Sequence, residues 1–166
     1  MEYFFRPVDE AAARDIITWH YPPPYQMYGL QDESAAEDVI AYLLNPQNHI
    51  YRIDNDQGEF LAFCSYGDDA RVTGGNYTED ALDIGLGLRP ELTGQGLGPI
   101  IIGEVLAYAQ REFSAKYYRV TIASFNQRAQ KAWMQHGFEQ TQEFGRTYDQ
   151  FPFMILMRPA QLPGQD

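Results

Sequence analysis

A single cysteine, Cys64, and three scattered histidines, His20, His49 and His136, are all the thiol and imidazole that the 166 residues contain. A lone thiol closes no intramolecular disulfide, and no two histidines stand at ligand spacing. A disulfide scaffold and a Cys-rich zinc site are therefore excluded, and no metal is expected. Positive charge is also scarce: 12 Lys and Arg oppose 23 Asp and Glu, a formal net charge of −11. That balance disfavours a phosphate backbone as partner and favours cationic partners, so no nucleic acid is expected. No apolar run approaches the ~20 residues that cross a bilayer. Met1 to Phe5 carries an early acid with no long apolar stretch behind it, which does not make a secretory signal. No membrane partner is expected, and the chain reads as cytoplasmic.

What the chain has in quantity is apolar and aromatic side chains, 45% and 14% of its residues. A chain of this size and composition can bury a core of its own. The expectation is one domain over 1–158 and a loose tail over 159–166. Tyr3 to Pro7 reads as a strand, followed by a helix from about Asp9 to Trp19 with acids at its positive end. Tyr21-Pro22-Pro23-Pro24-Tyr25-Gln26-Met27-Tyr28 is extended, since neither a helix nor a central strand accepts such a run of prolines. Ser34 can cap a second helix that Asn45-Pro46 stops. Strands are expected near 49–53, 59–66, 81–88, 117–122, 138–145 and 151–158, with helices before Phe113 and over Asn126 to His136. The polar segment from Gly67 to Asp80 reads as a hairpin loop or fraying strand ends. The order β-α-α-β-β-β-α-β-α-β-β describes a mixed α/β domain without a linker or repeat.

Leu88-Arg89-Pro90-Glu91-Leu92-Thr93-Gly94-Gln95-Gly96-Leu97-Gly98 is the most informative stretch. Behind it Ile101, Ile102, Val105, Leu106, Ala109 and Phe113 recur at helical spacing, so the glycines open a helix with a buried face. Glycines on alternate positions turn the backbone tightly and aim N–H groups at one spot, with the positive end of the helix behind them. A pyrophosphate fits such a cradle; close packing of helix on sheet is the other reading. The spacing does not match a dinucleotide fingerprint, and Gly98-Pro99 lacks the Lys of a P-loop.

This run resembles motif A of the GNAT (GCN5-related N-acetyltransferase) superfamily, which reads as a hydrophobic residue, x-Pro-Glu, then Arg/Gln-x-x-Gly-x-Gly/Ala. Leu88, Pro90, Glu91, Gly94, Gly96, Leu97 and Gly98 fall in register. Val120 to Asn126, followed by Ala129, Trp133 and His136-Gly137-Phe138, is similar to the family's motif B. The resemblance implies a mixed, mostly antiparallel sheet flanked by helices, and acetyl-CoA as acetyl donor with its pyrophosphate on the turn. On it, the cofactor residues are Leu86, Gly87, Leu88, Thr93, Gly94, Gln95, Gly96, Leu97, Gly98, Asn126 and Trp133. Departures stand beside the matches. Thr93 replaces the usual Arg or Gln, and Pro99 removes one N–H. Trp133 takes the place of a frequent proton-donating Tyr, and Thr121 that of an occasional catalytic Glu. From residues alone, Asn126 reads as an N-cap and Trp133 as a packing residue.

Acetylating an amine requires a deprotonated acceptor and a proton for the leaving thiolate. In Leu82-Asp83-Ile84-Gly85-Leu86-Gly87-Leu88 one face is apolar and the other carries Asp83 and two glycines. Asp83 is thus a candidate base beside a bare strand along which a pantetheine arm can lie; a solvated strand-end charge beside covered glycines is the alternative. Tyr148, between the last two strands, is the candidate acid among 12 tyrosines. Tyr21, Tyr25 and Tyr28 fall where the family shapes its acceptor pocket. Cys64 reads as a buried, inert thiol, and His20 as a helix-end residue or a base. The expected activity is direct transfer of an acetyl group from acetyl-CoA to a primary amine, on a small molecule or a peptide N-terminus. A silent acyl-CoA-binding module is the alternative, and a homodimer is left open.

Overall fold

The computed structural model describes residues 1–30 and 35–163. Among these residues, seven strands and four α-helices follow in the order β1 (Tyr3–Pro7), α1 (Glu10–Ile16), α2 (Ala36–Leu44), β2 (Ile50–Asn55), β3 (Phe60–Tyr66), β4 (Leu82–Leu88), α3 (Leu97–Glu112), β5 (Tyr117–Ala123), α4 (Gln127–Met134), β6 (Glu139–Gly145) and β7 (Pro152–Pro159). The fold is mixed α/β and mostly antiparallel, and the element order is the one expected from the sequence. The β1/β2, β2/β3, β5/β7 and β6/β7 pairs are antiparallel, whereas β4 and β5 run parallel. The chain divides into two compact units, Met1–Ser65 with Leu86–Gln95, and Tyr66–Gly85 with Gly96–Asp166.

In the first unit, α1 begins at Asp9, whose Oδ1 accepts from Ala12 N at 2.8 Å. That bond, with the nearby Arg52, holds the Asp9 carboxyl below its usual range. The helix buries Ala12, Ala13 and Ile16, which join Val8, Trp19, Ile40, Leu43 and Ile50 in one apolar cluster. It ends at Ile16 rather than near Trp19, because Thr18 N and Trp19 N turn back to Asp15 O and Ile16 O. Trp19 packs on Phe60 and Phe63 at ring distances of 5.3 and 5.7 Å. Ala35 stands at the N-cap of α2, and Ser34, expected to cap it, lies outside the described residues. Cys64 is fully buried in β3.

In the second unit, α3 buries Ile101, Ile102, Val105, Leu106 and Ala109. The buried Tyr66 lies against Tyr108 and Phe113 and donates its hydroxyl to Val105 O at 2.7 Å. β7 pairs with strands on both sides and buries Phe153, Met154, Ile155 and Leu156 in succession, so it reads as a continuous apolar run. It extends to Pro159, and the following Ala160 is buried with its N–H on Lys116 O, so order continues into the expected tail. The segment 67–80 is the loop that joins β3 to β4. It makes a 3-10 turn at Asp68–Ala70, and Thr73 O accepts from Thr147 N in the β6–β7 turn.

The parallel β4/β5 pairing sets Asp83 opposite Arg119, and both are almost wholly buried. Arg119 grips the carboxylate through Nε to Oδ1 at 2.6 Å and Nη2 to Oδ2 at 2.8 Å. Arg71 adds a bond from Nε to Oδ2 at 2.9 Å, and this bond raises the pKa of the Arg71 guanidinium. Removing one partner strands a buried charge, so Asp83→Asn is expected to cost about 3–5 kcal/mol of stability by denaturant unfolding. Replacing Asp83 and Arg119 together by leucine is expected to cost less than Asp83→Asn alone; a larger loss for the double variant contradicts this account.

Candidate active site

After Leu88 the chain makes a 3-10 turn at Pro90–Leu92 and then the glycine turn. Thr93 and Gln95 bond back onto the turn itself: Thr93 Oγ1 donates to Pro90 O and Gln95 Nε2 to Glu91 O, each at 2.7 Å. Gly94 and Gly96 have φ of 75° and 80°, which only glycine adopts without strain. Gly96 is the N-cap of α3, and no side chain caps the helix. The N–H groups of a helix's first turn have no partner within the helix and carry its positive end. At Gly98 the φ is not positive, and an added β-carbon meets nothing within 4 Å. Neither conformation nor packing calls for glycine there.

His136 fixes this first turn, donating from Nε2 to Pro99 O at 2.7 Å, and Arg158 Nη1 donates to His136 O at 3.0 Å. The missing N–H of Pro99 is thus accompanied by an anchored carbonyl, a role the sequence did not signal.

In the second matched block Asn126 caps α4, its Oδ1 accepting from Ala129 N at 3.1 Å. Trp133 is 5% exposed and packs edge-on against Phe138 at 5.1 Å. Packing is thus the role visible for Trp133. The orphan in this block is Ser124, which the sequence does not mark as a site residue. Its Oγ is buried and, among the described residues, has no hydrogen-bond partner. A buried hydroxyl without a partner costs free energy, and a ligand's polar group removes that cost. Its position two residues before Asn126 was the available signal.

On β4, Leu86, Gly87 and Leu88 are half-buried. The strand is not bare as expected: a β-carbon at Gly87 lies 2.6 Å from Cζ of Phe63, so that ring covers the glycine. Asp83 is neither a free base nor a solvated charge, since both its oxygens are held by arginines. Tyr148 is 75% exposed, with the Arg146 guanidinium 4.6 Å from its ring centre. Arg146 is in turn paired with Asp149, whose carboxyl it pulls down to about 2.

The three candidate acceptor residues do assemble. Tyr25 and Tyr28 stack at 6.4 Å, and Tyr21 stands edge-on to Tyr28 at 6.5 Å. The Tyr21 hydroxyl donates to Leu88 O at 2.7 Å. Burial, with the charge of Glu91, pushes its pKa up to about 12. His20 is exposed just beyond α1, as a helix-end residue.

Among the described residues no group of three His, Cys, Asp or Glu side chains is placed to hold a metal ion, and no helix is long and apolar enough to cross a membrane. No curated protein matches the chain in sequence. Among solved structures, a chimera of the Vibrio cholerae spermidine N-acetyltransferase SpeG with hSSAT is similar at 12% identity, covering 96% of each chain with a TM-score of 0.75. A point mutant of the Vibrio cholerae enzyme is 13% identical over 95% of this chain and 94% of that one, with a TM-score of 0.68. A proposed phosphinothricin N-acetyltransferase is 14% identical over 97% of this chain and 100% of that one, with a TM-score of 0.67. These likenesses concern the fold. The sequence model of the Acetyltransferase (GNAT) family matches residues 11–138, which include both glycine-turn and Asn126 blocks. The chain belongs to the GNAT family of N-acetyltransferases.

Proposed function

We propose that this protein transfers an acetyl group from acetyl-CoA directly to a primary amine of a small molecule or a peptide N-terminus. The observation that carries the donor side is the open space over Gly98 at an uncapped helix start. Bound there, acetyl-CoA supplies an activated acetyl thioester. The chain's own part is to bind and orient: the N–H groups around Gly96 to Gly98 hold the pyrophosphate, and Ser124 Oγ offers a hydrogen bond. The Tyr21, Tyr25 and Tyr28 rings give flat apolar walls and an attraction for an ammonium, about 0.5–2 kcal/mol. The surplus of acids speeds the approach of a cation at low salt. Asp83 is committed to arginines, so the ammonium's proton leaves through water. Tyr148, whose hydroxyl has no partner among the described residues, is the proposed donor to the thiolate.

A second reading, an acyl-CoA-binding module without turnover, is favoured by one finding: Asp83 and Trp133 are both occupied structurally. Thiol release separates the two, because a silent module binds CoA and liberates none with any amine or peptide N-terminus.

Gly98→Val tests the donor site. The added β-carbon meets nothing within 4 Å, so the thermal midpoint is expected to hold while CoA affinity falls by at least about tenfold. Wild-type CoA affinity in this variant removes the basis of the assignment. It is a cleaner probe than Gly96→Val, which also strains a left-handed position.

Tyr148→Phe tests the acid. Loss of a general acid is expected to lower kcat by on the order of 10²-fold and to leave CoA affinity unchanged. An unchanged kcat means that water protonates the thiolate.

A further inference from the structure

Leu88 ends β4, and its carbonyl accepts the phenol of Tyr21 at 2.7 Å from a segment 67 residues away. The next residue is tied to the same stretch of chain. Arg89 donates from Nη2 to Asp15 Oδ2 at 2.6 Å and from Nε to Phe60 O at 2.8 Å, and its guanidinium lies over Trp19. Asp15 Oδ1 also accepts from Trp19 Nε1 at 3.2 Å. The Leu88 backbone and the Arg89 side chain, at the end of β4, are therefore both tied to residues 15–21.

Tyr21 differs from the Arg89 tie in where its other end lies. Its ring edge meets Tyr28, which stacks on Tyr25. One rigid ring thus spans from the aromatic trio to the backbone of β4. A phenol has no flexible stem, so displacement of the ring displaces the hydroxyl. A hydrogen bond weakens steeply once its angle falls toward 120°. Beside Glu91, and with its pKa pushed up to about 12, the hydroxyl remains a protonated donor at every ordinary working pH.

We propose that Tyr21 is a positioning residue that links occupancy of the Tyr25–Tyr28 rings to the setting of the β4 backbone at Leu88, so that an amine on those rings and CoA bind with coupled affinities. The identity of the two ligands rests on the acetyltransfer reading; the mechanical link does not. The amine class that engages it is a primary ammonium with an aryl or alkyl body, large enough to press on the rings.

Two double-variant cycles test it. In the ligand-free protein, Tyr28→Ala is expected to speed hydrogen exchange over residues 86–92 severalfold, and to add nothing once Tyr21→Phe is present. Additive effects in the two backgrounds overturn the link, whether or not the protein is an enzyme. In the second cycle the CoA dissociation constant is measured by calorimetry with and without saturating 2-phenylethylamine. The wild type is expected to show a change of about fivefold or more. In Tyr21→Phe that ratio falls to one, whatever happens to the separate affinities. A wild-type ratio of one, or an unchanged ratio in Tyr21→Phe, overturns the coupling. Failure of the wild type to bind CoA instead sinks the acetyltransfer reading, and the exchange cycle still decides the link.

Discussion

A carboxylate buried between arginines is the constraint on which the second unit rests. Asp83 and Arg119 face one another across the parallel β4/β5 pair, and neither charge has water to fall back on. A slip of one residue in this register would part the two and bury each charge alone, at a cost of several kcal/mol. Arg71 draws the polar segment after β3 onto the same carboxylate. Tyr77, under both guanidiniums, joins its hydroxyl to Thr121 on β5 and to Val72 N. A stretch without regular structure is thereby ordered by charge and one aromatic ring.

The first unit solves a related problem with weaker parts. Residues 88 and 89 leave β4 for the glycine turn, and a phenol and a carboxylate hold them where ladder pairing ends. Thr93 and Gln95 then bond back onto the carbonyls of Pro90 and Glu91 within the same turn. Backbone recognition suits a ligand shared by a whole family, because it depends on conformation and tolerates side-chain change. Selectivity for the acceptor requires side chains, and the tyrosines of residues 21–28, which pack together, are the ones proposed for it.

Much of this was legible in the sequence because it is encoded locally. Periodicity over residues 97–113 and the alternation of strand residues gave the element order, and the glycines at 94 and 96 gave the tight turn into α3, since positive φ is a property of short segments. Roles that depend on a partner distant in the chain were not legible. Asp83 in β4 looked like a base because nothing local announces Arg119, 36 residues away. Gly87 looked bare because the ring of Phe63 comes from another strand. Ser124 was marked only by its place two residues before Asn126, since an unpaired hydroxyl is a property of its surroundings. The sequence alone determined the order of elements, the family and the glycine turn, all of which follow from spacing along the chain. Only the tertiary structure decided which charges are spent on folding and which polar groups stay open, because burial and hydrogen-bond partners come from residues that spacing does not connect.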